Sequence, residues 1–585
     1  MRFKPLTALA LVSVISTPGV LQAQRAPVEA EHGIVASVHG LASEAGVEIL
    51  RKGGNAVDAA VATGFALAVV FPYAGNVGGG GFMMIHLVDG RDVAIDYREV
   101  APAAASRDMY VGPDGRLIPG ASTVGWRAGG VPGSVAGFAL ALEKYGSHKV
   151  TWAEVIEPAR RLAAEGHVVT QGTAASLRAA RHLAQFPESK RIFLAGGAYL
   201  RAGDILRQPE LAETLARLQH DGPREFYEGE TARRIAAAMA QNGGTITLED
   251  LKNYRAVERT PLRGTYRGYE IVTMPPPSSG GIALLQMLGM IEPFDVGRLG
   301  FNSAAKYHLF TEVMRRAFRD RAEFLGDPDF VRVPVTGLLD RAYIASLMKN
   351  YDPAKATPSE GLAPGRPAGW EPPKVGELER LHAQLVAEST ETTHFSVIDA
   401  AGNAVSNTYT LNGAFGSGVT IPGTGILLNN EMDDFTSKVG EKNMFGLLQG
   451  PSNSIAPGKR PLSSMTPTFV LKNGRLAFAT GSPGGPTIIN TVFEIITNVI
   501  DHGMTITQAV DAPRFHHQWQ PDVLNYDRFS FSPDTVALLT AEGHILKERE
   551  GAIVGDGETV AIDPATGLRL GVSDLRKPDS KTVGY

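Results

Sequence analysis

Cysteine is absent from all 585 residues, which excludes disulfides, thiolate metal sites and a cysteine nucleophile. Basic excess is lacking too: the formal net charge is −5, so there is no electrostatic footprint for nucleic acid. No apolar run reaches the ~20 residues of a membrane helix. The stretch Ala59 to Phe71 follows Asp58 and reads as a buried core helix. Familiar catalytic signatures are also missing. There is no G-x-x-x-x-G-K-[ST] phosphate loop, no H-E-x-x-H pair and no G-x-S-x-G elbow. What remains, 43% hydrophobic and 20% charged, is an ordinary globular composition with length for two or more domains.

The first residues carry a targeting pattern. Met1-Arg2-Phe3-Lys4 is positive, Leu6 to Ile15 is mostly apolar, and Leu21-Gln22-Ala23 ends on a small residue. This predicts a signal peptide over 1–23 and export to the periplasm or medium; an uncleaved N-terminal anchor is the alternative. Leu41 to Val70 has a helical pattern broken at Gly53-Gly54. GNVGGGG at 75–81 precedes a strand instead of following one, so it reads as close backbone packing, not a phosphate cradle. Two alternating strands then flank Asp89-Gly90, and 150–260 and 301–325 are largely helical, the second run capped by Asn302 or Ser303. Six prolines in 353–373 predict a mobile connector. Short strands and Gly-rich turns follow to about 490, then helices at Val492 to Gly503 and Thr507 to Ala512. Helices, strands and helices again fit a layered α+β body. His516-His517 is the one adjacent histidine pair, and its diverging side chains read as structural.

Threonine is the nucleophile left to consider. Residues 393–399 and 403–411 read as a hairpin turning at Ala400-Ala401-Gly402. If Asp399 faces Asn403, partner numbers sum to 802, which sets Thr392 opposite Thr410. Taken alone, that is equally a cross-strand threonine pair. A threonine hydroxyl needs an adjoining base, and a residue's own α-amine is one solution, with a pKa of roughly 7.7–8. An internal threonine gains that amine only if the chain is cut before it, between Glu391 and Thr392.

The run TTHFSVIDAAGNAVSNTYTLNGAFG at 392–416 resembles the hallmark segment of the gamma-glutamyltranspeptidases. Further matches are DYREVAPAAA (96–105), GVPGSVAGF (130–138), MPPPSSGG (274–281) and LLNNEMDDF (427–435). RPLSSM (460–465), TGSPGG (480–485) and APRFHHQW (512–519) complete the series in family order. The resemblance implies a four-layer αββα sandwich of the N-terminal-nucleophile hydrolase type. It also implies self-cleavage into a large subunit, 24–391, and a small one, 392–585, held together as a heterodimer.

By the same resemblance, Thr392 is the nucleophile of self-cleavage and of catalysis, and Thr410 bonds to it. Gly484 and Gly485 match the backbone N–H pair of the oxyanion hole. Arg98 matches the guanidinium for the substrate α-carboxylate, with Ser463 and Ser464 as hydroxyl donors. Asn412, Glu431 and Asp434 match the groups that hold the α-ammonium. Residues 436–450 correspond to a lid, and Phe445 stands where an aromatic gate, often Tyr, would sit; without the hydroxyl, closure would rest on apolar packing. The expected activity is γ-glutamyl transfer and hydrolysis on glutathione-like donors, to amino acid, peptide or water acceptors. No metal or organic cofactor is implied. The rival readings are a glutaryl or cephalosporin acylase of the same superfamily, disfavoured by the Glu431/Asp434 pair, and a non-catalytic periplasmic γ-glutamyl peptide binder.

Overall fold

The computed structural model describes residues 25–370, 392–549 and 554–585. The predicted signal segment, Pro372, Pro373 and Glu391 lie outside them.

Two seven-stranded antiparallel sheets stack face to face. At the centre of the first, β1 (Gly80–His86) pairs with β3 (Ala404–Thr410), which pairs with β2 (Thr393–Ile398). Ile34–Ser37 and Lys581–Gly584 extend it beyond β2, and Asp92–Asp96 and Val257–Arg259 beyond β1. The second sheet runs Val28–Ala30, Arg569–Ser573, Glu558–Ile562, Arg475–Thr480, Thr468–Lys472, Tyr269–Thr273, Leu262–Tyr266. In both, strands from before residue 371 and after residue 391 sit side by side.

Side-chain alternation explains the layering. Along β1, Phe82 and Met84 meet Val272, Phe469 and Val560 of the other sheet, while Met83 and Ile85 face helices. Every residue of β1, β2 and β3 is buried, because helices cover the sheet's outer face. One cover is α1 (Gly40–Arg51) and α2 (Ala56–Val70). Asn55 and Asp58 close a capping box at the start of α2, and Gly53, at φ +94°, breaks the chain between the two helices as expected. All of α2 is buried, which its apolar circumference requires. On the far side α3 (Gly280–Ile291), α4 (Ala304–Phe324) and α5 (Thr487–Ile500) pack on Ile271, Val470 and Phe478. Ser303 is the cap of α4, its Oγ accepting from Lys306 N–H at 3.1 Å. This is the expected αββα sandwich.

One expectation fails. As far as residue 370, the proline-rich segment is anchored, not a free connector. Thr357 N–H donates to Glu312, Ser359 N–H to Asp522, and the Trp370 ring meets Phe324 edge-on at 4.9 Å. Prolines remove donors and fix φ, so they bar helix and strand without barring side-chain anchoring.

Candidate active site

The hairpin has the predicted register. Thr393 pairs with Tyr409 and Ile398 with Ala404, so partner numbers sum to 802. Thr392, one residue before β2, therefore meets Thr410 at the end of β3, and its Oγ1 donates to Thr410 Oγ1 at 3.3 Å. Thr410 Oγ1 also accepts from Asn412 N–H at 2.8 Å, which bends the chain so that Asn412 takes φ +75°. The glycine run supports this strand end. A Cβ on Gly79 would lie 2.0 Å from Thr410 O, and one on Gly81 2.4 Å from Thr408 O. The expected close backbone packing is thus what the run provides.

Thr392 and Thr410 open into a narrow cleft also lined by Arg98, Asn412, Glu431, Asp434, Phe445, Ser463, Ser464 and Gly485. Ten of the eleven site residues expected from the sequence line it. The eleventh, Gly484, sits one residue behind, at φ +127°, where a Cβ would strike Thr487 Oγ1. Gly485 takes φ +55°. Both precede the first turn of α5, whose dipole favours negative charge; the Thr487 and Ile488 N–H groups donate to the carbonyls of Gly484 and Gly485 at 3.1 and 3.2 Å.

Arg98 follows strand Asp92–Asp96 and is fully buried. Its guanidinium forms ion pairs with Glu431 and Asp434, and stands 3.8 Å from Glu99. It also reaches the carbonyls of Pro461 and Leu462 at 3.3 and 3.4 Å. Burial alone would lower its pKa; Glu431, Asp434 and Glu99 more than offset this and raise it. Burial pushes the Glu431 carboxyl well up, with Arg98 opposing, and lifts Glu99 to about 7. The groups assigned to opposite ends of one substrate head therefore hold each other.

Two supports escaped the sequence reading. Ser279, in the PPPSSGG motif, donates its N–H and Oγ–H to the Ser463 carbonyl at 2.8 and 2.6 Å. Arg321 on α4 lines the cleft as a second buried guanidinium, and donates to Ser279 Oγ and Ser464 Oγ at 2.9 and 3.3 Å. Burial brings it down to about 10, with Asp434 opposing. Within a helix rich in charged residues, nothing in the pattern separates Arg321 from its surface-type neighbours; only tertiary packing does.

Phe445 is buried, and a Cβ on Gly485 would lie 2.9 Å from its Cδ1. Apolar contact and backbone ties hold this segment: Gln518 Nε2 donates to Phe445 O at 3.2 Å and Met444 N–H to Asp433 at 2.9 Å. The two histidines beside Gln518 are engaged separately, His516 with Asn490 and Gln518, His517 with Asp522. His394, two residues from Thr392, bonds Thr408 and Ser396 inside the sheet and is no base for the cleft; burial lowers it to about 3.

The profile of the gamma-glutamyltranspeptidase family matches residues 42–584. The glutathione hydrolase proenzyme of Escherichia coli (strain K12) is 47% identical over 561 residues, 96% of this chain and 93% of that one. The acylase ACY 1 proenzyme of Pseudomonas sp. (strain V22) is 40% identical over 550 residues, 92% of each. Among solved structures, the cephalosporin acylase from Bacillus halodurans superposes with TM-score 0.80 at 26% identity, covering 100% of this chain and 99% of that one.

Proposed function

The chain belongs to the gamma-glutamyltranspeptidase family, and from that premise we propose that it is a self-cleaving γ-glutamyl transferase and hydrolase acting on glutathione-like amides. The observation that carries this is one cleft holding the Thr392–Thr410 contact, the glycine turn before α5, and a buried cation facing two carboxylates.

Self-cleavage comes first. Thr392 Oγ1 attacks the Glu391 carbonyl, the peptide C–N bond breaks to give an ester, and water hydrolyses it. Thr392 is left with a free α-amine, a base with a pKa near 8 beside its own hydroxyl. In turnover that amine takes the hydroxyl proton as Oγ1 attacks the γ-carbonyl. The oxyanion meets the N–H groups of Gly484 and Gly485. The leaving amine departs with the proton, and water or an acceptor amine then attacks the acyl-enzyme.

The donor head group binds by exchange. Its α-carboxylate takes the Arg98 fork together with the Ser463 and Ser464 hydroxyls; its α-ammonium takes Asn412, Glu431 and Asp434. One zwitterion replaces an internal set of ion pairs without altering the charge of the site, so no buried charge is left unmatched. Arg321 is a positioning residue. Because its N–H donates to Ser464 Oγ, the Ser464 hydroxyl proton is free to point at the carboxylate.

The acylase relatives keep one second reading in view, an acylase, and we take its expected substrate to be a glutaryl side chain. A glutaryl group has no α-ammonium and would leave Glu431 and Asp434 unpaired, with large discrimination expected. Export to the periplasm or medium completes the proposal; among the described residues no helix is long and apolar enough to cross a membrane.

The test has two parts. Mass spectrometry of the purified protein should find a small subunit beginning at Thr392, and Thr392→Ala should give one inactive, folded chain. γ-Glutamyl anilide should turn over, faster with a dipeptide acceptor, and glutaryl anilide should turn over far more slowly. Equal rates on the two anilides would favour the acylase reading, and an active Thr392→Ala protein would sink the mechanism.

A further inference from the structure

Far along α4 from the cleft, three potential ligand atoms converge from distant parts of the sequence. His308 lies in the first half of α4; Glu542 and His544 follow α6 (Pro533–Ala541) near the end of the chain. His308 Nδ1 lies 2.8 Å from His544 Nε2 and 3.4 Å from Glu542 Oε2, and one ligand atom from each residue lies within 4.8 Å of the others. Both imidazoles are buried, while the Glu542 side chain keeps 20% exposure and so leaves a path from solvent.

The contacts leave part of the cluster unsatisfied. His308 Nε2 sits 2.8 Å from the Asp352 carbonyl, which only accepts, so that nitrogen carries a proton and the ring turns Nδ1 towards His544 and Glu542. Glu542 Oε2 faces Nδ1 and is a buried oxygen with no hydrogen-bond donor. A hydrogen bond from His544 satisfies one contact of His308 and none of Glu542. A ring nitrogen fixed by a backbone carbonyl on its other side, with a second imidazole and a carboxylate alongside, is the donor set and support of a zinc-class site.

We propose that His308 Nδ1, His544 Nε2 and a Glu542 carboxylate oxygen bind one zinc-class divalent cation. Tetrahedral bonds of 2.0–2.2 Å require ligand atoms roughly 3.3–3.5 Å apart. The His308–Glu542 separation already fits, the two nitrogens need to part by about 0.5 Å, and His544 Nε2 stands within 4.8 Å of the carboxylate. His544 shifts its ring proton from Nε2 to Nδ1, and water fills the fourth position. The neighbouring Arg315 is neutralised by Glu312 and Asp522, so it does not repel the ion unopposed. In the cleaved protein, a reading that rests on the proposed function, His308 belongs to one piece and Glu542 and His544 to the other. The ion would then be a clamp between subunits that have no cysteine to join them.

Chelator-dialysed full-length protein is titrated with ZnCl₂ by calorimetry, and with CoCl₂ by visible absorption. One equivalent should bind, with the intense cobalt band of a tetrahedral site; Glu542→Gln should weaken it more than about 10-fold and His544→Gln should abolish it. Thr392→Ala should bind zinc equally well, so failure of self-cleavage leaves the ion site standing. Zinc at 100 times its Kd should favour the folded state by about 100-fold in urea. No binding at micromolar zinc, or equal binding by wild type and Glu542→Gln protein of matching Tm, would reduce the cluster to a hydrogen-bonded pair and overturn the proposal.

Discussion

Arg98 shows how much one buried side chain can hold. Its guanidinium meets Glu431, Asp434 and two backbone carbonyls at once, a set that only a planar fork with several donors can serve. In Arg98→Lys a single ammonium cannot span both carboxylates. Donor binding should weaken by about 2–5 kcal/mol, read as a rise in KM for γ-glutamyl anilide. Self-cleavage, which the proposal assigns to Thr392 and the glycine turn, should proceed to two bands on a denaturing gel. An unchanged KM would remove Arg98 from the donor site.

At the scale of elements, the glycine turn and the lid act on each other. Gly485→Ala places a methyl group at φ +55° and 2.9 Å from the Phe445 ring, so either that ring or the Gly485 N–H, the proposed oxyanion donor, must shift. The expected result is a fall in kcat of about 10²–10³-fold with little change in KM. Adding Phe445→Ala removes the clash but not the backbone strain. The double variant should not regain kcat; full recovery of kcat would assign the defect to Phe445 alone.

The same elements show what was legible beforehand. The hairpin register was readable because a three-residue turn and a period of two fix every partner once one pair is set. The paired helices α1 and α2 were readable because Gly53 and Gly54 punctuate them. Short strands such as Ile34–Ser37 and Leu262–Tyr266 were not, since four or five residues give no clear period and their pairing is settled by distant partners. The residues that line the cleft were legible where they stand in motifs. Their mutual contacts, such as Arg98 with Glu431, were not, because sequence patterns carry no distances. Arg321 and the His308 cluster were hidden for the same reason.

For the whole molecule, the main fact is the interleaving of the two sheets. In the first, Ile34–Ser37 lies between Lys581–Gly584 and β2, so a strand from before residue 371 is flanked by two from after residue 391. In the second, strands from the later part are flanked on both sides by strands from the earlier part. Neither part can form its sheets alone. Refolding from urea should therefore be concentration-independent for Thr392→Ala and concentration-dependent for the cleaved protein, as dilution series with activity or circular dichroism would show. Equal concentration dependence would mean that each part folds by itself.

That interleaving would give the proposed cut at Thr392 a direction in time. Before it, the sandwich is the end of a unimolecular search in which every strand is tethered to its neighbours. Afterwards the same coordinates persist, but the tether is gone, and the way back has become a meeting of two chains. One bond separates precursor from product, yet only the precursor can recover its shape at infinite dilution. The mature molecule would be a record of how it was made, held by the barrier to unfolding.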